Sequence, residues 1–252
     1  MKARIKFRKY GAMRFIGHLD VMRYFQKVMR RADIPIAFTG GFSPHMIMSF
    51  AQPLGVGITS DGEYLDIELT EPVSSRQAVR RMNETNVEGI EVVSFVEIPD
   101  DKKYSGMTIV AAAYYRVTLL QSVKSAEEKR EVPEEWKEKA EEFLRQPEIC
   151  VMKKTKRSEK EVDIKPMIYE MKIAKEEISL FLATGSGQNL KPGLVMEAFL
   201  AYIGETKEAN PMHYHRVDVY ARDRNVPDGT KEAHIKGKGL VPLEAFGKEI
   251  YE

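Results

Sequence analysis

Arg4-Ile5-Lys6-Phe7-Arg8 alternates charged and apolar side chains, the period-two pattern of a half-buried strand with Ile5 and Phe7 turned inward and Lys6 and Arg8 turned outward. From Leu19 to about Ala32 the period changes. Leu19, Met22, Phe25, Val28 and Met29 recur three and four apart, while Arg23, Lys27, Arg30 and Arg31 take the other side of a helix that Pro35 stops. Ile36-Ala37-Phe38 and Met46 to Phe50 read as strand pieces around the turn-rich Gly40-Gly41-Phe42-Ser43-Pro44-His45. Leu65, Ile67 and Leu69 alternate with Tyr64, Asp66 and Glu68 in the next strand. Pro72-Val73-Ser74-Ser75 opens a helix carrying Val79 and Met82, and Ile90 to Val96 closes the series as a strand. The order is βαββαβ, that of the ferredoxin-like unit.

The same order is expected again further along. Tyr114 to Leu120 reads as a strand and Pro133 to Arg145 as a helix with Trp136, Ala140, Phe143 and Leu144 on its core face. Ile149 to Met152, Ile168 to Ile173 and Ile178 to Ala183 read as strands. Pro192 to Ile203 reads as a helix ended by Gly204, and Tyr214 to Tyr220 as a last strand with Val217 and Val219 on one side. The predicted class is therefore α+β, with two tandem ferredoxin-like domains over residues 1–105 and 106–222 and a loosely structured extension over 223–252, where Gly and Pro accumulate.

Composition narrows the class. A 252-residue chain with 43% hydrophobic and 31% charged residues is neither disordered nor collagen-like. The longest apolar stretch, Met107 to Tyr115, is far too short for a membrane span, and the N-terminus does not read as a signal peptide. The single cysteine, Cys150, excludes an intrachain disulfide and suits a reducing cytoplasm; its apolar neighbours predict a buried structural thiol. The net charge of +1 hides an asymmetry, for residues 1–55 hold ten Lys or Arg against two acids. A second basic cluster, Lys153-Lys154-Thr155-Lys156-Arg157, lies past the midpoint. Localised positive charge on a neutral chain is what recruits a polyanion. Arg23, Lys27, Arg30, Arg31, Lys153, Lys154, Lys156 and Arg157 are accordingly the candidate nucleic-acid contacts. Lys6 and Arg8 are expected either to meet Asp66 and Glu68 across the sheet or to face a nucleic acid.

Candidate chemistry concentrates at two element boundaries, Arg14-Phe15-Ile16-Gly17-His18-Leu19-Asp20 and Gly40 to His45. His18, Asp20 and His45 suit a ligand-binding or acid–base site, since imidazole titrates near neutrality and a carboxylate can orient it. The bland alternative is that Asp20 caps the helix and the histidines bond loop backbone. No metal site is predicted, and no cofactor. Thr184 to Asn189 lacks the ending and glycine spacing of a P-loop and reads as an ordinary connection. Met13, Met22, Met29, Met46 and Met48 read as core filler.

Phe15-Ile16-Gly17-His18-Leu19-Asp20 and Gly40 to His45, with Gly62-Glu63-Tyr64-Leu65-Asp66 and Glu161-Val162-Asp163-Ile164-Lys165-Pro166, resemble the radical SAM-linked family of unknown function over roughly residues 2–220. Members occur alone or as the C-terminal part of radical SAM proteins, which implies partnership with such an enzyme. One cysteine cannot supply the three that hold a radical SAM cluster, so this chain is not itself that enzyme. The resulting expectation is a cytoplasmic, RNA-binding accessory protein without a membrane partner, acting with a radical SAM protein in RNA modification. The alternatives are a metal-independent ribonuclease similar to the Cas6-type RNA endonucleases, of whose glycine-rich loop only Lys236-Gly237-Lys238-Gly239 is present, and a protein–protein adaptor that binds no nucleic acid.

Overall fold

The structure, a computed structural model, describes residues 1–122, 125–154, 159–222 and 239–251. It is an α+β fold with a large β-sheet. The chain divides into two compact units, one formed by Met1–Ala111, Arg216–Arg222 and Val241–Glu252, the other by Ala112–His215.

In the first unit the elements run β1 (Lys2–Lys9), α1 (His18–Arg31), β2 (Met48–Ala51), β3 (Thr59–Glu68), α2 (Ser75–Thr85) and β4 (Ile90–Ile98). β1 lies antiparallel between β4 and β3, and β2 adds to β3. Ala3, Ile5 and Phe7 of β1 meet Phe25, Val28 and Met29 of α1 and Ala78 and Met82 of α2 in one core, where Phe7 and Phe25 lie 4.6 Å apart. Ser74 caps α2 by accepting from the Gln77 N–H. The helix face read from the sequence needs one change: Leu19 is exposed and Val21 is buried, so the buried side of α1 runs through Val21, Phe25, Val28 and Met29.

The opposite face of this sheet is covered rather than open. A short α3 (Gly106–Ile109) follows β4, and Leu243 to Phe246 form a single 3₁₀ turn. Lys248 pairs with Glu97 by two backbone hydrogen bonds of 2.8 and 2.9 Å, and the Ser75 N–H donates to Ile250 O. Residues 241–251 are therefore docked and not a loose extension. Val219 and Ala221 of β11 (Met212–Arg222), with Ala51, Tyr64 and Leu243, build a second small core here.

In the second unit β5 (Val110–Ser122), β10 (Ile178–Ala183) and β9 (Ile168–Ile173) pair antiparallel in the order β5-β10-β9, and β6 (Ser125–Arg130) adds to β5. α4 (Trp136–Arg145) and α5 (Pro192–Tyr202) pack through Trp136, Phe143 and Phe199. β7 (Cys150–Lys154) and β8 (Glu159–Asp163) form a separate two-stranded sheet. With β6 and this hairpin added, the element order is not a plain second βαββαβ. Cys150 is exposed, against expectation: strand alternation sends it outward between buried Ile149 and half-buried Val151, and some desolvation together with Glu148, Glu161 and Asp163 pushes its thiol pKa up. Thr184 Oγ1 donates to Asn189 Oδ1, closing the loop before α5.

Candidate functional site

α1 places the first basic group. Its N-cap is Gly17, which contributes no side-chain bond, so Asp20 is not the cap; it stands in the first turn, where a carboxylate complements the helix dipole, and meets Arg23 at 3.3 Å. Val21, Phe25, Val28 and Met29 bury one side, and the remaining positions at spacings of three and four present Arg23, Lys27, Arg30 and Arg31 to solvent. Arg23 and Asp20 are both largely exposed, so their pair is weak. Lys27 and Arg30 make no ion pair or hydrogen bond among the described residues. The stripe is an accessible cationic face.

The three candidate catalytic residues have separate neighbours. His18 stands edge-on to Phe50 with ring centroids 5.1 Å apart. His45 Nδ1 is 3.1 Å from Thr39 Oγ1, and its N–H donates to the same oxygen. Asp20 faces Arg23. The described contacts of these residues do not include one another, and among the described residues no group of three or more His, Cys, Asp or Glu is arranged to hold a metal.

In the second basic cluster Lys153 and Lys154 lie in β7, paired with Lys160 and Glu159 of β8; their side chains, and Lys156 and Arg157 entirely, lie outside the described residues.

The motif Gly62 to Asp66 has an internal role. Arg4, not Lys6, stands opposite Asp66 in the register; its fully buried guanidinium grips the carboxylate at 2.7 and 2.9 Å and donates to Leu243 O and Tyr104 O. Lys6 reaches Asp218 at 2.7 Å and Glu244 at 2.6 Å. Burial lowers the Lys6 pKa, but its bonds to Asp218 and Glu244 outweigh that and leave it raised. Tyr64 donates to Asp218 Oδ1 at 2.7 Å, and burial with the Asp218 charge raises its phenol pKa. Glu63 accepts from Arg216 Nε at 2.9 Å, and Arg216 also holds Gln52 O. Gly62 is required by close approach, since a Cβ there lies 2.5 Å from Asp218 Oδ1 and 2.7 Å from Asp218 Cα. Arg8 pairs with Glu91 at 2.8 Å and Asp61 at 3.5 Å. Arg4, Lys6 and Arg8 of β1 are thus each paired with carboxylates, whereas the α1 stripe is exposed.

Sequence reading missed Lys9, Arg216, Asp218 and Glu244. Lys9 is buried, its Nζ donates to Ile16 O at 2.9 Å, and desolvation lowers its pKa. The alternation of Arg216 and Asp218 with Val217 and Val219 was visible, but the charged side of that strand is buried as well as the side of Val219 and Ala221.

The profile of a family described as "Uncharacterized protein conserved in bacteria (DUF2344)" matches residues 2–192. No curated protein matches. Among solved structures, a chain of the "Crystal Structure of a Cbf5-Nop10-Gar1 Complex" is similar at 12% identity with a TM-score of 0.47, over 96% of this chain and 60% of that one.

Proposed function

Because the chain belongs to DUF2344, a family linked to radical SAM proteins, we propose that it is an accessory protein that binds RNA on the exposed face of α1 and presents it to a radical SAM enzyme for modification. The observation that carries this reading is the stripe of Arg23, Lys27, Arg30 and Arg31, of which Lys27 and Arg30 meet no counter-charge among the described residues. Phosphate contacts of this kind position a nucleic acid without reading its sequence, as an accessory role requires. The single cysteine assigns the radical chemistry to the partner, and suits a cytoplasmic setting.

We read the chain as two tandem ferredoxin-like domains, residues 1–105 and 106–222. Support comes from the β4-β1-β3-β2 order of the first unit, and from the second once β6 and the β7–β8 hairpin are counted as insertions, leaving β5, α4, β9, β10, α5 and β11.

The test is fluorescence anisotropy of the full chain with a fluorescein-labelled poly(U) strand across a salt series. Replacing Arg23, Lys27, Arg30 and Arg31 by Gln is expected to weaken binding and to flatten the slope of log affinity against log salt by about 3, four contacts at about 0.7 each on a single strand. No affinity in the parent, or an unchanged slope, overturns the reading. Cleavage of the strand by the chain alone overturns the accessory role in favour of a ribonuclease.

A further inference from the structure

The hairpin that follows α1 carries a feature the cationic stripe does not explain. Ile34 N–H donates to Met29 O, Ile36 bridges to Leu69, and the chain then rises into a hairpin closed by the Phe38–Met46 bridge. Thr39 N–H donates to His45 O at 2.9 Å, and His45 N–H returns a bond to Thr39 Oγ1, so the residues between are held as one tip. Gly41 has φ +98°, which an L side chain rarely adopts, and the turn it makes leaves the Phe42 ring fully exposed. Phe38 is also about half exposed, at 49%. From residue 34 to residue 60 there is no Asp, Glu, Lys or Arg.

An uncharged tip that offers an aromatic face gains from stacking or apolar contact alone, and its charge must come from a neighbour. The end of α1 from which the hairpin springs supplies Arg30 and Arg31, both exposed. The ligand that combines flat π faces with repeated anions is a single-stranded nucleic acid. Resting on the RNA reading above, we propose that Phe42 is a stacking platform for an unpaired base of single-stranded RNA whose backbone is held by the α1 cations, Arg30 and Arg31 being the ones at the end of α1 that leads into the hairpin. The His45 contacts with Thr39 give that histidine a positioning role, fixing the tip.

The experiment measures poly(U) affinity and its salt slope for the parent, Phe42→Ala and Phe42→Trp. Phe42→Ala is expected to lose roughly 5- to 150-fold in affinity, the range that base–aromatic stacking supplies, with the salt slope unchanged, and Phe42→Trp to restore it. Thermal unfolding of Phe42→Ala should match the parent, because the ring is exposed. If the parent binds and Phe42→Ala binds equally well, this proposal falls while the RNA reading stands. If the parent does not bind, both fall. Loss of co-purification with a radical SAM protein in Phe42→Ala, at unchanged RNA affinity, also overturns the proposal and makes the tip a protein contact.

Discussion

Arg4→Met isolates the buried ion pair that ties β1 to the segments covering its far face. The guanidinium makes four hydrogen bonds, two to the Asp66 carboxylate and two to the carbonyls of Leu243 and Tyr104. Methionine fills much of the volume but supplies no donor, leaving Asp66 with the Gly106 N–H at 2.7 Å. Breaking a buried pair by removing one partner costs about 3–5 kcal/mol, because the other charge stays desolvated. That is roughly 10²- to 10⁴-fold in the opening constant of the first unit. The assay is hydrogen exchange read by mass spectrometry on peptides from β1 and β3, since the one tryptophan, Trp136, lies in the core of the second unit and does not report on the first. Arg4→Met combined with Asp66→Leu should recover part of the loss, since it removes the stranded charge but leaves Leu243 O, Tyr104 O and the Gly106 N–H without these partners. A single-variant cost below about 1 kcal/mol, or a double variant as unstable as the sum of the singles, refutes the reasoning, because charged pairs of this kind are coupled.

Gly62→Ala should destabilise the first unit by about 1–3 kcal/mol or more, seen as a lower urea midpoint by circular dichroism, because its Cβ meets the Asp218 backbone. Tyr64→Phe should flatten the alkaline loss of stability. Above about pH 10 the unfolded chain releases the phenol proton and the folded chain keeps it, so the folded state binds more protons and stability falls as pH rises, by about 1.4 kcal/mol per pH unit for this group. Lys9, whose pKa is lowered, contributes with the opposite sign in both proteins, whereas Lys6, whose pKa is raised, shares Asp218 with Tyr64 and adds a loss of the same sign as the phenol. An unchanged alkaline slope in urea titrations would show that Tyr64 keeps no special proton. Substituting His18 by Ala should leave the unfolding free energy from urea titration within about 0.5 kcal/mol of the parent, because the residue is exposed; a larger loss would mark its contact with Phe50 as scaffold.

Local patterns revealed what local physics decides. The period of three and four placed Phe25, Val28 and Met29 inside and the four cations outside, because a helix face is a short-range property. Alternation likewise put Ile5 and Phe7 in the core. The far face of β1 was not legible, since the groups that bury Arg4 and satisfy Lys6 come from Tyr104, Asp218, Leu243 and Glu244, at least 100 positions away. Arg216 and Asp218 are buried partners of the same kind, which their place in an alternating strand does not reveal. Cys150 was misjudged for a related reason: an apolar run says nothing about which alternate residue a two-stranded hairpin turns outward. Of the candidate site, the α1 stripe followed from spacing alone, whereas the exposure of Phe42 depends on how its tip is closed.

Ultraviolet cross-linking of the full chain to poly(U), with the attached peptides identified by mass spectrometry, tests the RNA-binding claim most directly. The account predicts cross-links on peptides that span Arg23 to Arg31 and Phe38 to His45. Cross-links confined to other surfaces, or none at concentrations where a standard single-strand binding protein is labelled, would contradict it.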